Sequence, residues 1–134
     1  MKRVLSVVLC VLAVVCLAAC GGGDSKNPAG EYKAESPKDT YGNSAELVIT
    51  LGEDGKITGV DWKEYANGTL KDKDYGKDLG EDQYQAAQTA IAGSATYPKA
   101  LLDTQDINKV EAVAGATQSH TTFVQLYNKA MEKK

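Results

Sequence analysis

Ala45-Glu46-Leu47-Val48-Ile49-Thr50-Leu51-Gly52-Glu53-Asp54-Gly55-Lys56-Ile57-Thr58-Gly59-Val60-Asp61-Trp62-Lys63-Glu64-Tyr65 is the stretch that decides the fold. Ala45, Leu47, Ile49 and Leu51 share one face of a period-two segment, with Glu46, Val48 and Thr50 on the other, which predicts a half-buried strand. Gly52 to Lys56 is turn chemistry, and the chain returns through Ile57 to Tyr65, so the stretch reads as an antiparallel hairpin. Ile57 and Val60 are out of phase, and Gly59 between them marks a bulge. Asn67-Gly68 suits a further tight turn. Upstream, Gly30 to Glu35 reads as a short strand broken by Ser36-Pro37-Lys38-Asp39, with a loop to about Asn43.

Downstream the pattern changes period. From Glu81 the composition shifts to Ala and Gln, and Tyr84, Ala87 and Ile91 recur at helical spacing until Gly93 stops the run. Pro98 suits a first helical position, which predicts a short helix from Pro98 to about Asp103 presenting Leu101 and Leu102. Thr104 to Lys109 leads on as loop with room for a short strand. Phe123, Leu126, Tyr127, Ala130 and Met131 follow i, i+3, i+4, i+7, i+8, and Lys129, Lys133 and Lys134 complement the helix C-terminus. Strands first and helices after predict an α+β fold, a small antiparallel sheet with two to three helices packed on it.

The N-terminal flank reads differently. Lys2 and Arg3 precede an almost wholly apolar run, Val4 to Cys16, which is short of the roughly 20 residues that span a bilayer. Leu17-Ala18-Ala19-Cys20 ends it and resembles the bacterial lipobox. Residues 1–19 are therefore expected to be a lipoprotein signal peptide, 20–28 a lipidated Cys20 and flexible tether, and 29–134 the folded domain. The protein is expected on the extracytoplasmic face of the cell membrane, held in the lipid bilayer by acyl chains such as palmitate on Cys20. Of the three cysteines, Cys10 and Cys16 leave with the signal peptide, so the exported body has neither disulfide nor free thiol. Lys and Arg number 15 against 18 Asp and Glu, and losing Lys2 and Arg3 makes the balance more acidic. That argues against nucleic acid as a partner. Asp72, Asp74 and Asp78 superficially suggest a calcium loop, but Lys77 stands where the loop needs glycine and Gln83 where it needs a final acid. Lys71 to Asp78 reads instead as a solvated charged loop.

Val110 to His120 is a run of small residues ending in hydroxyls just before the last helix. Small side chains admit close backbone approach, and a helix start favours an anion, so the geometry suits a phosphate. Simple capping of the helix by Thr117 or Ser119 is the alternative. Glu111-Ala112-Val113-Ala114-Gly115-Ala116-Thr117 resembles the flavinylation motif of the FMN-binding domain family. Gly30 to Ser36, Ile57 to Tyr65, Leu70 to Asp78 and Lys109 to Thr117 all look like stretches of such domains. The likeness is closest to Gram-positive lipoproteins of extracellular electron transfer, the pheromone-encoding ones among them.

The resemblance implies FMN as cofactor, joined through its phosphate to Thr117 by a separate flavin transferase that uses FAD and releases AMP. It implies an electron carrier without substrate turnover of its own, fed by a membrane NADH- or quinone-linked reductase. Glu111 stands where the family usually has aspartate and Ala114 where it has serine, so noncovalent FMN is the alternative to covalent loading. Ala114, Gly115, Ala116 and Ser119 are the expected surroundings of the phosphate. Trp62, Tyr65 and Tyr75 are candidates for stacking on the flavin ring. His120 reads as a solvated residue of the first helical turn, and a single histidine without cysteine argues against a transition-metal site. The competing class is a non-redox ligand-binding or interaction lipoprotein in which the motif only caps the helix.

Overall fold

The alternation of Ala45 to Leu51 places Ala45, Leu47, Ile49 and Leu51 in the core, between 0 and 6% exposed. The structure, a computed structural model, describes residues 27–132. The expected signal peptide, Cys20, most of the tether, and Lys133 and Lys134 lie outside the described residues. Strands β1 (Gly30–Glu35), β2 (Asn43–Leu51), β3 (Ile57–Ala66) and β4 (Thr69–Leu70) form one antiparallel sheet in chain order. Leu47 pairs with Ala34 and Trp62, and Ile49 with Tyr32 and Val60, which aligns the apolar face across three strands. The predicted bulge is present: Thr50 pairs with Gly59 but Leu51 with Ile57, leaving Thr58 as the extra residue. Asn67 (φ 52°) and Gly68 (φ 84°) are both left-handed and make the two-residue turn from β3 to β4.

Helices α1 (Glu81–Ser94), α2 (Tyr97–Thr104) and α3 (Thr117–Glu132) follow, so the fold is α+β as its element order predicts. Helix α3 buries Phe123, Leu126 and Ala130 over β1 and β2, while α2 sends Tyr97 and Leu101 toward β3. Burying a side chain of Leu or Phe size stabilises the fold by about 1.5–3 kcal/mol. Trp62 meets Phe123 edge to face, with ring centroids 5.2 Å apart.

Three expectations change in detail. Gly93 does not stop α1 but lies buried in its last turn, and Tyr84, Ala87 and Ile91 are only half-buried because α1 covers a polar loop rather than the core. Helix α2 starts one residue before Pro98, with Tyr97 fully buried. Ile107–Lys109 forms a 3-10 turn rather than a strand, started by the Asp106 carboxylate, which accepts the Asn108 N–H at 3.0 Å. The folded body also takes in Asn27, assigned to the tether from sequence: it is 8% exposed, and its Nδ2 donates to the Met131 carbonyl at 2.8 Å.

Gln105 closes α2 in the left-handed region (φ 57°) and ties that helix to the sheet. Its Oε1 accepts the Ile57 N–H at 2.7 Å, and its Nε2 donates to the Ile57 carbonyl at 2.9 Å, so the amide stands in for a neighbouring strand. Gln105→Ala is expected to cost about 1–3 kcal/mol through the unpaired Ile57 groups. A denaturant midpoint unchanged from wild type would refute this.

Candidate functional site

The motif loop is a turn held from beneath. The Ala116 N–H donates to the Val113 carbonyl at 2.9 Å, and Gly115 at the third position has φ 84°, as a type II turn requires. The Tyr97 hydroxyl bridges both ends of this turn: it donates to the Ala116 carbonyl at 2.9 Å and accepts the Val113 N–H at 3.1 Å. Gly93 of α1 seats the same turn, because a Cβ there would stand 2.8 Å from the Ala116 Cβ and 3.1 Å from Val113 Cγ1. Gly93→Val should therefore displace the turn and destabilise the domain despite better helix propensity. Loss of the native amide shifts of Val113 to Thr117 in a heteronuclear NMR spectrum is the readout.

Ala116 is 2% exposed and points into the core, whereas Ala114, Gly115 and Thr117 are exposed. Helix α3 begins at Thr117, and the His120 N–H donates to the Ala116 carbonyl at 3.0 Å to close its first turn. The free amides at the start of that turn have no intrahelical acceptor and form the positive end of the helix dipole. Among the described residues the Thr117 hydroxyl has no hydrogen-bond partner, and the side chain is exposed. Ser119 is differently placed: its hydroxyl donates to Glu64 Oε1 of β3 at 2.7 Å, tying α3 to the sheet. His120 is half-buried rather than solvated. Its ring lies edge-on to Tyr97, and its Nε2 is 2.6 Å from the Val110 carbonyl. That oxygen can only accept, so Nε2 carries a proton.

The three aromatic candidates separate. Trp62 belongs to the core, against Phe123, with its indole N–H buried. Tyr65 follows Glu64 along β3, and Glu64 reaches α3, so Tyr65 points to the opposite face of the sheet. Tyr75 lies in the charged loop between β4 and α1. Its carbonyl and that of Asp72 accept from Gln88 Nε2 of α1 at 3.0 and 3.1 Å, and the Lys71 ammonium lies 5.3 Å over its ring. The charged loop is thus seated on α1. Within it, the ammonium groups of Lys73 and Lys77 push the Asp74 carboxyl down to about 2.

Beside the start of α3 a cleft of about 300 Å³ opens between the β1–β2 loop, the ends of β2 and β3, and the helix face carrying Gln118, Thr122 and Gln125. Lys38, Asp39, Glu64 and Lys71 supply its charges. Asp39 organises the loop wall. Its carboxylate accepts the Tyr41 and Asn43 N–H groups at 2.8 Å each and Asn43 Nδ2 at 2.9 Å, and these bonds, first those from Asn43, lower its pKa. A depressed folded-state pKa means the contribution is present at neutral pH, above the unfolded value of about 3.9, and is lost as pH falls through the folded value. The amide protection factors of Tyr41 and Asn43 are expected to fall on acidification in wild type but not in Asp39→Asn. Identical pH profiles would count against it.

The sequence matches the family model of the FMN-binding domain over residues 41–132. The chain belongs to that family. No curated protein and no solved structure is matched. FMN is the cofactor of the FMN-binding domain, and the motif loop fits its phosphate end: an exposed hydroxyl, an exposed Gly115 without Cβ, and helix-start amides lie together. Tyr97, Gly93, Glu64 and Lys71 escape the sequence reading as site residues. Each acts from 16 or more residues away in the chain, and only Pro98, by marking the helix start, hints that the residue before it is fixed.

Proposed function

We propose that this FMN-binding domain carries its flavin covalently on Thr117 and shuttles electrons at the outer face of the membrane. The carrying observation is the exposed, unpartnered Thr117 hydroxyl on a turn that Tyr97 and Gly93 fix in place. In the loading reaction the Thr117 oxygen attacks the flavin-side phosphorus of FAD. The new O–P bond replaces the anhydride bond, AMP leaves, and the hydroxyl proton passes to a base of the transferase. A threonine hydroxyl is a weak nucleophile unaided, which is consistent with activation by a separate enzyme. Bound FMN supplies the redox chemistry. The domain's own residues hold and orient the flavin without turning over a substrate of their own.

Cys20, acylated, would anchor the chain, and the glycine-rich tether would keep the carrier at high effective concentration near a membrane NADH- or quinone-linked reductase. The Gram-positive extracellular electron transfer lipoproteins are the subgroup this reading favours. To test it, the domain is co-produced with a flavin transferase and FAD, denatured, and mapped by peptide mass. The expected result is yellow protein with one FMN on the peptide containing Thr117. Flavin that washes out on denaturation would leave a noncovalent FMN protein, and no flavin at all under conditions that load a related domain would overturn the carrier reading.

A further inference from the structure

The chain enters the folded body at a fixed point. Asn27 is 8% exposed, and its Nδ2 donates at 2.8 Å to the carbonyl of Met131, in the last turn of α3, where carbonyls lack an intrahelical donor. Beside it the Tyr32 hydroxyl of β1 donates to the Pro28 carbonyl at 2.7 Å. Residues 27–28 are therefore clamped between the end of α3 and β1. Thr117 stands at the opposite end of the same helix, fourteen residues before Met131, which is about 21 Å at the helical rise per residue.

Cys20 lies only seven residues before Asn27. That many residues span roughly 25 Å at full extension, and a Gly-rich chain of that length averages about 15 Å between its ends. An anchor on Cys20 thus holds the Asn27 end of α3 near the bilayer. Turning the Thr117 end toward the lipid would lift Asn27 by the length of the helix, and a leash stretched that far keeps little conformational freedom. Charge acts in the same sense. Residues 26–29 and 129–134 carry four lysines and one acid, in a chain with 18 acidic residues against 15 basic ones. Anionic headgroups attract this pole and repel the acidic remainder. We propose that the pole formed by Asn27, Pro28 and the last turn of α3 is the membrane-facing surface of the protein, its partner an anionic phospholipid headgroup layer, and that the Asn27 clamp keeps Thr117 on the side away from the bilayer. The inference rests on the anchored reading of Cys20. A flavin on Thr117 is then presented to acceptors arriving from outside, and a membrane reductase reaches it through a part standing about 20 Å above the headgroups.

The test uses the full chain, matured in a bacterial host and placed in phosphatidylglycerol nanodiscs that carry a gadolinium-chelating headgroup lipid. Intact mass reports acylation of Cys20, circular dichroism reports folding, and paramagnetic relaxation of backbone amides reports height above the headgroups. Relaxation is expected to be severalfold faster at residues 129–132 than at residues 117–120. Asn27→Ala, which opens the clamp, should narrow that difference, and so should a Gly-Ser insertion after Ser25 that doubles the leash and leaves Asn27 in place. Equal relaxation at the two ends of α3 in acylated, folded wild type would overturn the orientation and leave the anchor standing. A difference unchanged in both variants would overturn the role of the clamp. A chain without an acyl group on Cys20 would overturn the anchored reading and the orientation with it, while the Thr117 reading is judged separately by the mass of bound FMN.

Discussion

Thr117→Ala, co-produced with a flavin transferase and FAD, is expected to fold like wild type and carry no covalent flavin. The side chain is exposed and makes no hydrogen bond among the described residues, so its removal should change stability by no more than about 0.5 kcal/mol. The helix start keeps its amides and dipole, so noncovalent FMN can still bind after the bond is lost. Thr117→Ser restores an acceptor of the same chemistry and should recover the added mass. Intact-mass spectrometry after denaturation decides it. A Thr117→Ala chain that still gains the mass of FMN would put the acceptor elsewhere.

Tyr97→Ala should be the most destabilising single change near the site, at about 3–5 kcal/mol, because it empties a fully buried position between Phe123 and His120. Marginal stabilities of about 5–15 kcal/mol leave little margin for that loss. Tyr97→Phe separates packing from hydrogen bonding. It keeps the ring but strips the Ala116 carbonyl and the Val113 N–H of the same partner, which should cost about 1–3 kcal/mol. The turn also keeps its Ala116 to Val113 bond and its seat on Gly93. The Phe variant should therefore fold while its motif amides exchange faster and flavin loads more slowly than in wild type. Equal loading rates would show that the hydroxyl serves stability alone.

The sheet was legible because local chemistry and tertiary need agree there. Period-two alternation from Ala45 to Leu51 requires one buried face, and Asn67-Gly68 tolerates the left-handed turn that joins β3 to β4. Helix α3 was legible for the same reason, since its apolar stripe is continuous. Helix α1 was less so: its Ala and Gln residues cover a polar loop, and only Gly93 and Ser94 of its last turn are buried.

By itself, the sequence determined that residues 45–65 form a hairpin, that an amphipathic helix follows the small-residue motif, and that Thr117 stands at their junction. The family match over residues 41–132 then carries the FMN assignment. Tertiary structure alone decided what surrounds Thr117. Tyr97 and Gly93 reach the motif across the chain, Glu64 takes the Ser119 hydroxyl, Tyr65 falls on the opposite face, and Lys71 comes to the cleft. The physical reason is range. Periodicity and turn preference act over a few residues, whereas a phenol under a turn or a lysine in a cleft is placed by strands and helices meeting from distant parts of the chain.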